Sequence, residues 1–218
     1  MHWIDPDCLP ETTGVVDRFL LNPEGEADGL VLTDGIEVHF PPHMGTDVVA
    51  AVRPGGAVRV RGVRPRGVAM VAAVSVAPEE GAAIENGGPP LDEDTRKARR
   101  KQARGARTTM EARGVLRQVL HGPRGEVRGL LLEDGRSGRF PPHAAAAVAP
   151  RLVPGTPVLL RGDGLLTQHG TVIAIREIGT SAEDMLRLDE PPRPRHGKAP
   201  KPHERGPRED RPKATRPV

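Results

Sequence analysis

GLVLTDGIEVHFPPH, residues 29–43, and GLLLEDGRSGRFPPH, residues 129–143, are one element written twice, 100 positions apart. In each copy an Asp-Gly pair (Asp34-Gly35, Asp134-Gly135) separates two short β-rich runs. That pair is a strong hairpin signal, because glycine adopts the positive φ such a turn requires. The second run ends at Phe-Pro-Pro, where prolines cannot donate to a strand ladder. Outward from this core, Gly14 falls on Gly114, Pro23 on Pro123, Gly25-Glu26 on Gly125-Glu126, Pro54-Gly55 on Pro154-Gly155 and Arg61-Gly62 on Arg161-Gly162. Roughly 20 identities over about 50 ungapped positions exceed what composition explains, so the chain contains a duplication.

Punctuation within one copy predicts strands over 14–21, 27–33 and 36–40, a short helix over 43–52, and strands over 57–61 and 68–76. Three strands, a helix and two strands is the order of a five-stranded OB barrel, whose ligands commonly sit on the strand 2–3 face and the neighbouring loops. The second copy predicts strands over 114–120, 127–133, 136–140, 156–161 and 171–178, with a helix through 144–152. The expected fold is mainly β: two tandem OB-like five-stranded barrels, each with a short helix between strands 3 and 4, plus a disordered linker and tail. The expected divisions are an N-terminal segment (1–13), repeat 1 (14–76), a linker acidic and then basic (77–112), repeat 2 (113–179), a short helix (180–190) capped by Ser181, and a disordered basic Pro-rich tail (191–218).

Asp-Gly followed by Phe-Pro-Pro-His, then Pro-Gly before a Val-rich strand, resembles a motif of uncharacterised bacterial tandem OB-fold proteins described as nucleic-acid-binding-like. The resemblance spans both repeats and implies the fold more than an activity. Arg139 stands where the first copy has His39.

With 2% aromatic residues, 26 Gly and 24 Pro, each core must be built from small and aliphatic side chains and must be modest in size. A module of about 60 residues buries only about 60% of its unfolded surface, so mutual packing of the copies is expected to help both. The single cysteine, Cys8, rules out an internal disulfide, and neither a leader pattern nor a bilayer-length apolar run is present, so a soluble cytoplasmic protein without a membrane partner is expected. The net charge of +3 hides a division: Arg96, Arg99, Arg100, Lys101 and Arg104 follow an acidic block, and a second basic segment begins after Pro191.

No Gly-rich phosphate loop and no nucleophile with a base at a recognisable spacing is found, so no catalytic residue and no cofactor is assigned. His39 and His43 are four apart but lie on a strand and past two prolines; a metal-sensing role for them is the weakest reading, and no metal is assigned. The repeat-motif residues Phe40, Pro41, Pro42 and His43, with Phe140, Pro141, Pro142 and His143, are expected to be structural, the phenylalanines filling cores and the histidines starting helices. Strand alternation then turns Gly29, Val31, Thr33, Glu37 and His39 outward, with Gly129, Leu131, Glu133, Ser137 and Arg139 in the second copy. Neither expected outer face is basic or aromatic.

The candidate nucleic-acid-binding residues are Arg59, Arg61, Arg64 and Arg66 on and after strand 4, and Arg96, Arg99, Arg100, Lys101 and Arg104 in the linker. The chain is therefore expected to be a nonenzymatic binder of RNA or single-stranded DNA, weak and largely sequence-independent, aided by the basic linker and tail. The alternative is a protein–protein interaction module that presents the neutral barrel faces to a protein partner.

Overall fold

The computed structural model describes residues 5–87 and 93–188; the expected tail over 191–218 lies outside the described residues, as do the side chains of Arg96 and Arg100. In repeat 1 the elements are β1 (Glu11–Leu21), β2 (Ala27–Leu32), β3 (Glu37–His39), α1 (Pro42–Ala51), β4 (Ala57–Val63) and β5 (Met70–Pro78). A two-residue β6 (Ile84–Glu85) follows, then α2 (Glu93–Ala106). Repeat 2 holds β7 (Thr108–His121), β8 (Val127–Leu132), β9 (Ser137–Arg139), α3 (Ala145–Val148), β10 (Pro157–Thr167), β11 (Gly170–Gly179) and β12 (Leu186–Arg187).

Each repeat closes on itself. β1 pairs antiparallel with β2 and β4, β2 with β3, and β4 with β5, while the parallel pair β3–β5 shuts the barrel. The second repeat reproduces every one of these pairings, including the parallel β9–β11 closure. These are two five-stranded barrels in OB order.

The turn chemistry read from the repeat is visible in detail. Gly35 and Gly135 have φ of 88° and 91°, and Asp34 and Asp134 each accept a hydrogen bond from the backbone N–H two residues on, at 3.0 Å. At the Phe-Pro-Pro corner, Pro41 caps α1 with extended backbone and Pro42 takes the first helical position, where its missing N–H costs nothing. The second copy has Pro150 where the first has Ala50, and the expected helix over 144–152 breaks into α3 between two 3-10 turns. Phe40 and Phe140 are buried in the two barrel cores, as alternation predicts.

Gly62 and Gly162 occupy matching β-bulges in β4 and β10, and a Cβ at either would collide with the carbonyl of Ala72 or Ala174 on the neighbouring strand. Overfilling such a site costs about 1–3 kcal/mol. Gly162→Ala is therefore expected to lower the denaturant midpoint at unchanged slope in an equilibrium unfolding curve, and an unchanged midpoint would contradict the bulge assignment.

Three expectations are corrected. The expected helix over 180–190 is not found in its described part, 180–188: after a turn, Leu186–Arg187 adds to the edge of β11 opposite Ile178 and Glu177. The linker is shorter than 77–112, because β5 runs to Pro78, β7 begins at Thr108, and α2 is a formed helix between them. The two strand 2–3 faces are not open. Of the outward-facing residues named for each copy only Thr33 and Glu133 are exposed, because the faces pack against each other.

Candidate nucleic-acid interface

The barrels meet face to face, with equivalent residues of the two copies in contact. Leu20 and Val31 of the first, with Leu120 and Leu131 of the second, make a separate apolar cluster in which all four are buried. The turn at Gly25 lies against Leu165 and Thr167 of the second barrel, while the turn at Gly125 lies against Pro65 and Val68 of the first. Phe19 meets His169 edge to face with ring centroids 5.4 Å apart. The neutral faces expected to receive a protein partner are thus occupied by each other, which removes that form of the interaction-module reading.

Polar contacts at the seam are where the copies differ. Glu37 is 1% exposed and ties the barrels together: His121 of the second barrel donates to it from Nδ1 at 2.8 Å and from its backbone N–H at 2.9 Å, and His39 Nε2 lies 3.3 Å away. Burial alone would push this carboxyl up, but the hydrogen bonds from His121 and His39 outweigh it and lower its pKa from 4.5 to about 2. An ionised carboxylate only accepts, so each ring carries its proton on the nitrogen facing Glu37. The second copy has Ser137 instead, and its Arg139 reaches across to the carbonyl of Leu21 at 3.1 Å and the carboxylate of Asp28 at 3.0 Å. Gln118 donates to the carbonyl of Gly35, and Arg117 pairs with Asp17 at 2.9 Å. His39 therefore serves the seam and not a site with His43, which sits in the first turn of α1.

The candidate cations divide into those held and those left outward. Arg61 spends its guanidinium on Asp7 at 2.8 Å and Glu11 at 3.1 Å, and the copy repeats the pair as Arg161 with Glu111 at 2.8 Å. Arg99 pairs with Glu26 at 2.9 Å, Ala103 is buried against barrel 1, and Arg107 donates to the carbonyl of Pro23, so α2 is docked along one side. Its composition of Ala, Arg, Lys and Gln favours helix, and Glu93 and Asp94 suit the positive N-terminal end. Lys101 and Arg104 stand on the exposed side of α2, and Arg59, Arg64 and Arg66 on the exposed edge of barrel 1. Arg64 donates to the Thr12 hydroxyl at 2.7 Å, and none of these five has an acidic partner among the described residues. Sequence reasoning missed the docking acid Glu26 and the strand-pairing acid Glu11; their recurrence as Glu126 and Glu111 was the available signal.

No protein-family model matches the chain, and no curated protein does. Among solved structures, the chain is similar to the wild-type single-stranded DNA binding protein from Thermus aquaticus, at 16% identity, over 84% of this chain and 93% of that one, with a TM-score of 0.24. A deletion mutant of the same protein aligns at 14% identity over 85% and 96% of the two chains, with a TM-score of 0.23. Superpositions this loose carry no argument; the fold rests on the strand pairings above. No helix among the described residues is long and apolar enough to cross a membrane.

Proposed function

We propose that the chain is a nonenzymatic protein that holds RNA or single-stranded DNA weakly and without sequence preference, through cations outside the barrel seam. The observation that carries this reading is the set of five exposed cations without acidic partners, Arg59, Arg64 and Arg66 on barrel 1 and Lys101 and Arg104 on α2. Their un-neutralised charge attracts phosphates, while Arg61 and Arg99, locked in ion pairs, keep the framework in shape. Phe19, Phe40 and Phe140, the phenylalanines of the described residues, are buried, so aromatic base stacking contributes little and charge dominates. The basic segment after Pro191 adds to the same electrostatic pull.

The test is fluorescence anisotropy of labelled single-stranded RNA and DNA with the full chain across a salt series. Affinity is expected to fall steeply with salt. The double variant Lys101→Ala, Arg104→Ala should flatten the log–log slope by about 0.7 for each phosphate that is no longer neutralised. A flat salt dependence in the parent chain would overturn the reading.

A further inference from the structure

We propose that a cleft between the two barrels, lined by residues of both repeats, binds a nucleoside monophosphate unit. The cleft is about 470 Å³, within the range of about 300–1,000 Å³ common for small-ligand sites. It is built from both copies of the repeat: Pro23 and Pro123 stand at equivalent positions on its lining, joined by Pro41 and Pro42, with the buried Phe40 and Phe140 contributing only their margins. The prolines supply an apolar wall against which a planar base can lie.

The polar positions are those at which the copies have diverged. Asp28 is matched by Arg128 and His39 by Arg139, and His121 takes the place of Leu21; these five charged or imidazole residues line the cleft. Leu20, Leu120, Val31 and Leu131 fill the apolar part of the seam, while the side chains of Arg139 and His121, which cross it to Asp28 and Glu37, line this cleft. The groups are also incompletely used. Asp28 is consumed by Arg139, and Glu37 by the two imidazoles, each of which gives it one ring nitrogen. The second ring nitrogen of His39 and of His121 can pair with a sugar hydroxyl, which both donates and accepts. Arg128 forms only a loose ion pair with Glu126, at 3.8 Å and without a hydrogen bond, so its guanidinium donors remain open to a phosphate.

Apolar wall, imidazole nitrogens and the loosely paired Arg128 guanidinium together match base, sugar and phosphate. None of these residues is among the five outer cations, so the inference stands apart from the surface reading above. The unit has two sources, a free mononucleotide or the 5′-phosphorylated end of a strand.

The experiment is isothermal titration of the full chain with adenosine 5′-monophosphate and with adenosine. Saturable binding of the monophosphate is expected, with adenosine weaker by about tenfold or more, the worth of one charge-assisted hydrogen bond. Arg128→Ala, at a half-exposed position, should erase that difference, whereas Lys101→Ala with Arg104→Ala should leave it intact. Imidazole resonances of His39 and His121 should shift during the titration. Competition by a 5′-phosphorylated oligonucleotide but not its unphosphorylated form would assign the site to a strand end; no competition would assign it to the free nucleotide. Absence of saturable monophosphate binding, or equal affinity in the parent and Arg128→Ala, would overturn the proposal.

Discussion

Glu37→Ala is expected to lower the stability of the full chain by about 3–5 kcal/mol, because the two imidazoles and the His121 backbone N–H lose a buried charged acceptor, at about 1–3 kcal/mol for each group left unpaired. The side chain is 1% exposed and holds one imidazole from each barrel, so its removal strips His39 and His121 of the acceptor that orients them. The effect has a pH signature. The folded-state pKa of Glu37 is about 2, below the ordinary 4.5, so its contribution is complete above about pH 4.5 and disappears as pH falls through about 2. That difference corresponds to a stabilisation on the order of 3 kcal/mol. Glu37→Gln keeps the shape and one acceptor oxygen but cannot ionise, so its unfolding free energy should fall less than the parent's between pH 4.5 and 2. Parallel pH profiles for the two proteins in chemical denaturation would remove Glu37 from its place as the tie between the barrels.

Leu131→Asp is expected to part the barrels. Leu131 is buried in a four-residue cluster with Leu20, Val31 and Leu120, which offers no polar partner, and an unpaired carboxylate there would have to reach water by opening the seam. Even Leu131→Ala should cost about 2–5 kcal/mol from reduced burial and the cavity left behind. The parent chain should unfold in one transition, because each barrel is too small to be more than marginally stable alone. The aspartate variant should show a lower midpoint and a second transition or a reduced denaturant slope, read by fluorescence and circular dichroism together. A single transition at the parent's midpoint would show that the seam contributes nothing to stability.

Barrel order was legible from the sequence because it is set by local rules. Asp34-Gly35 and Asp134-Gly135 permit one kind of turn, the Phe-Pro-Pro corner ends a strand and starts a helix, and duplication at a fixed offset confirms each signal twice. Period-2 alternation placed Phe40 and Phe140 in the cores but could not say what covers the opposite face. Val31 and Leu131 were apolar on a nominally outer face of both copies, a sign of a mutual interface that only tertiary structure resolves. The 180–190 segment shows local preference losing to a long-range partner. Its cap at Ser181 and its apolar residues read as helix, yet so short a helix is weak alone, and the free edge of β11 takes Leu186 and Arg187 instead. The cations were legible as charges, but whether each is neutralised depends on residues far along the chain, such as Glu11 for Arg61 and Glu26 for Arg99.

The face-to-face packing of the two strand 2–3 surfaces decides which surfaces of this chain are left open, and it is directly observable. In a methyl-labelled sample of the full chain, nuclear Overhauser cross-peaks are predicted between methyls of Leu20 or Val31 and those of Leu120 or Leu131. Their presence would establish the seam; their absence, with each barrel's internal cross-peaks intact, would mean that the barrels are separate and their strand 2–3 faces open.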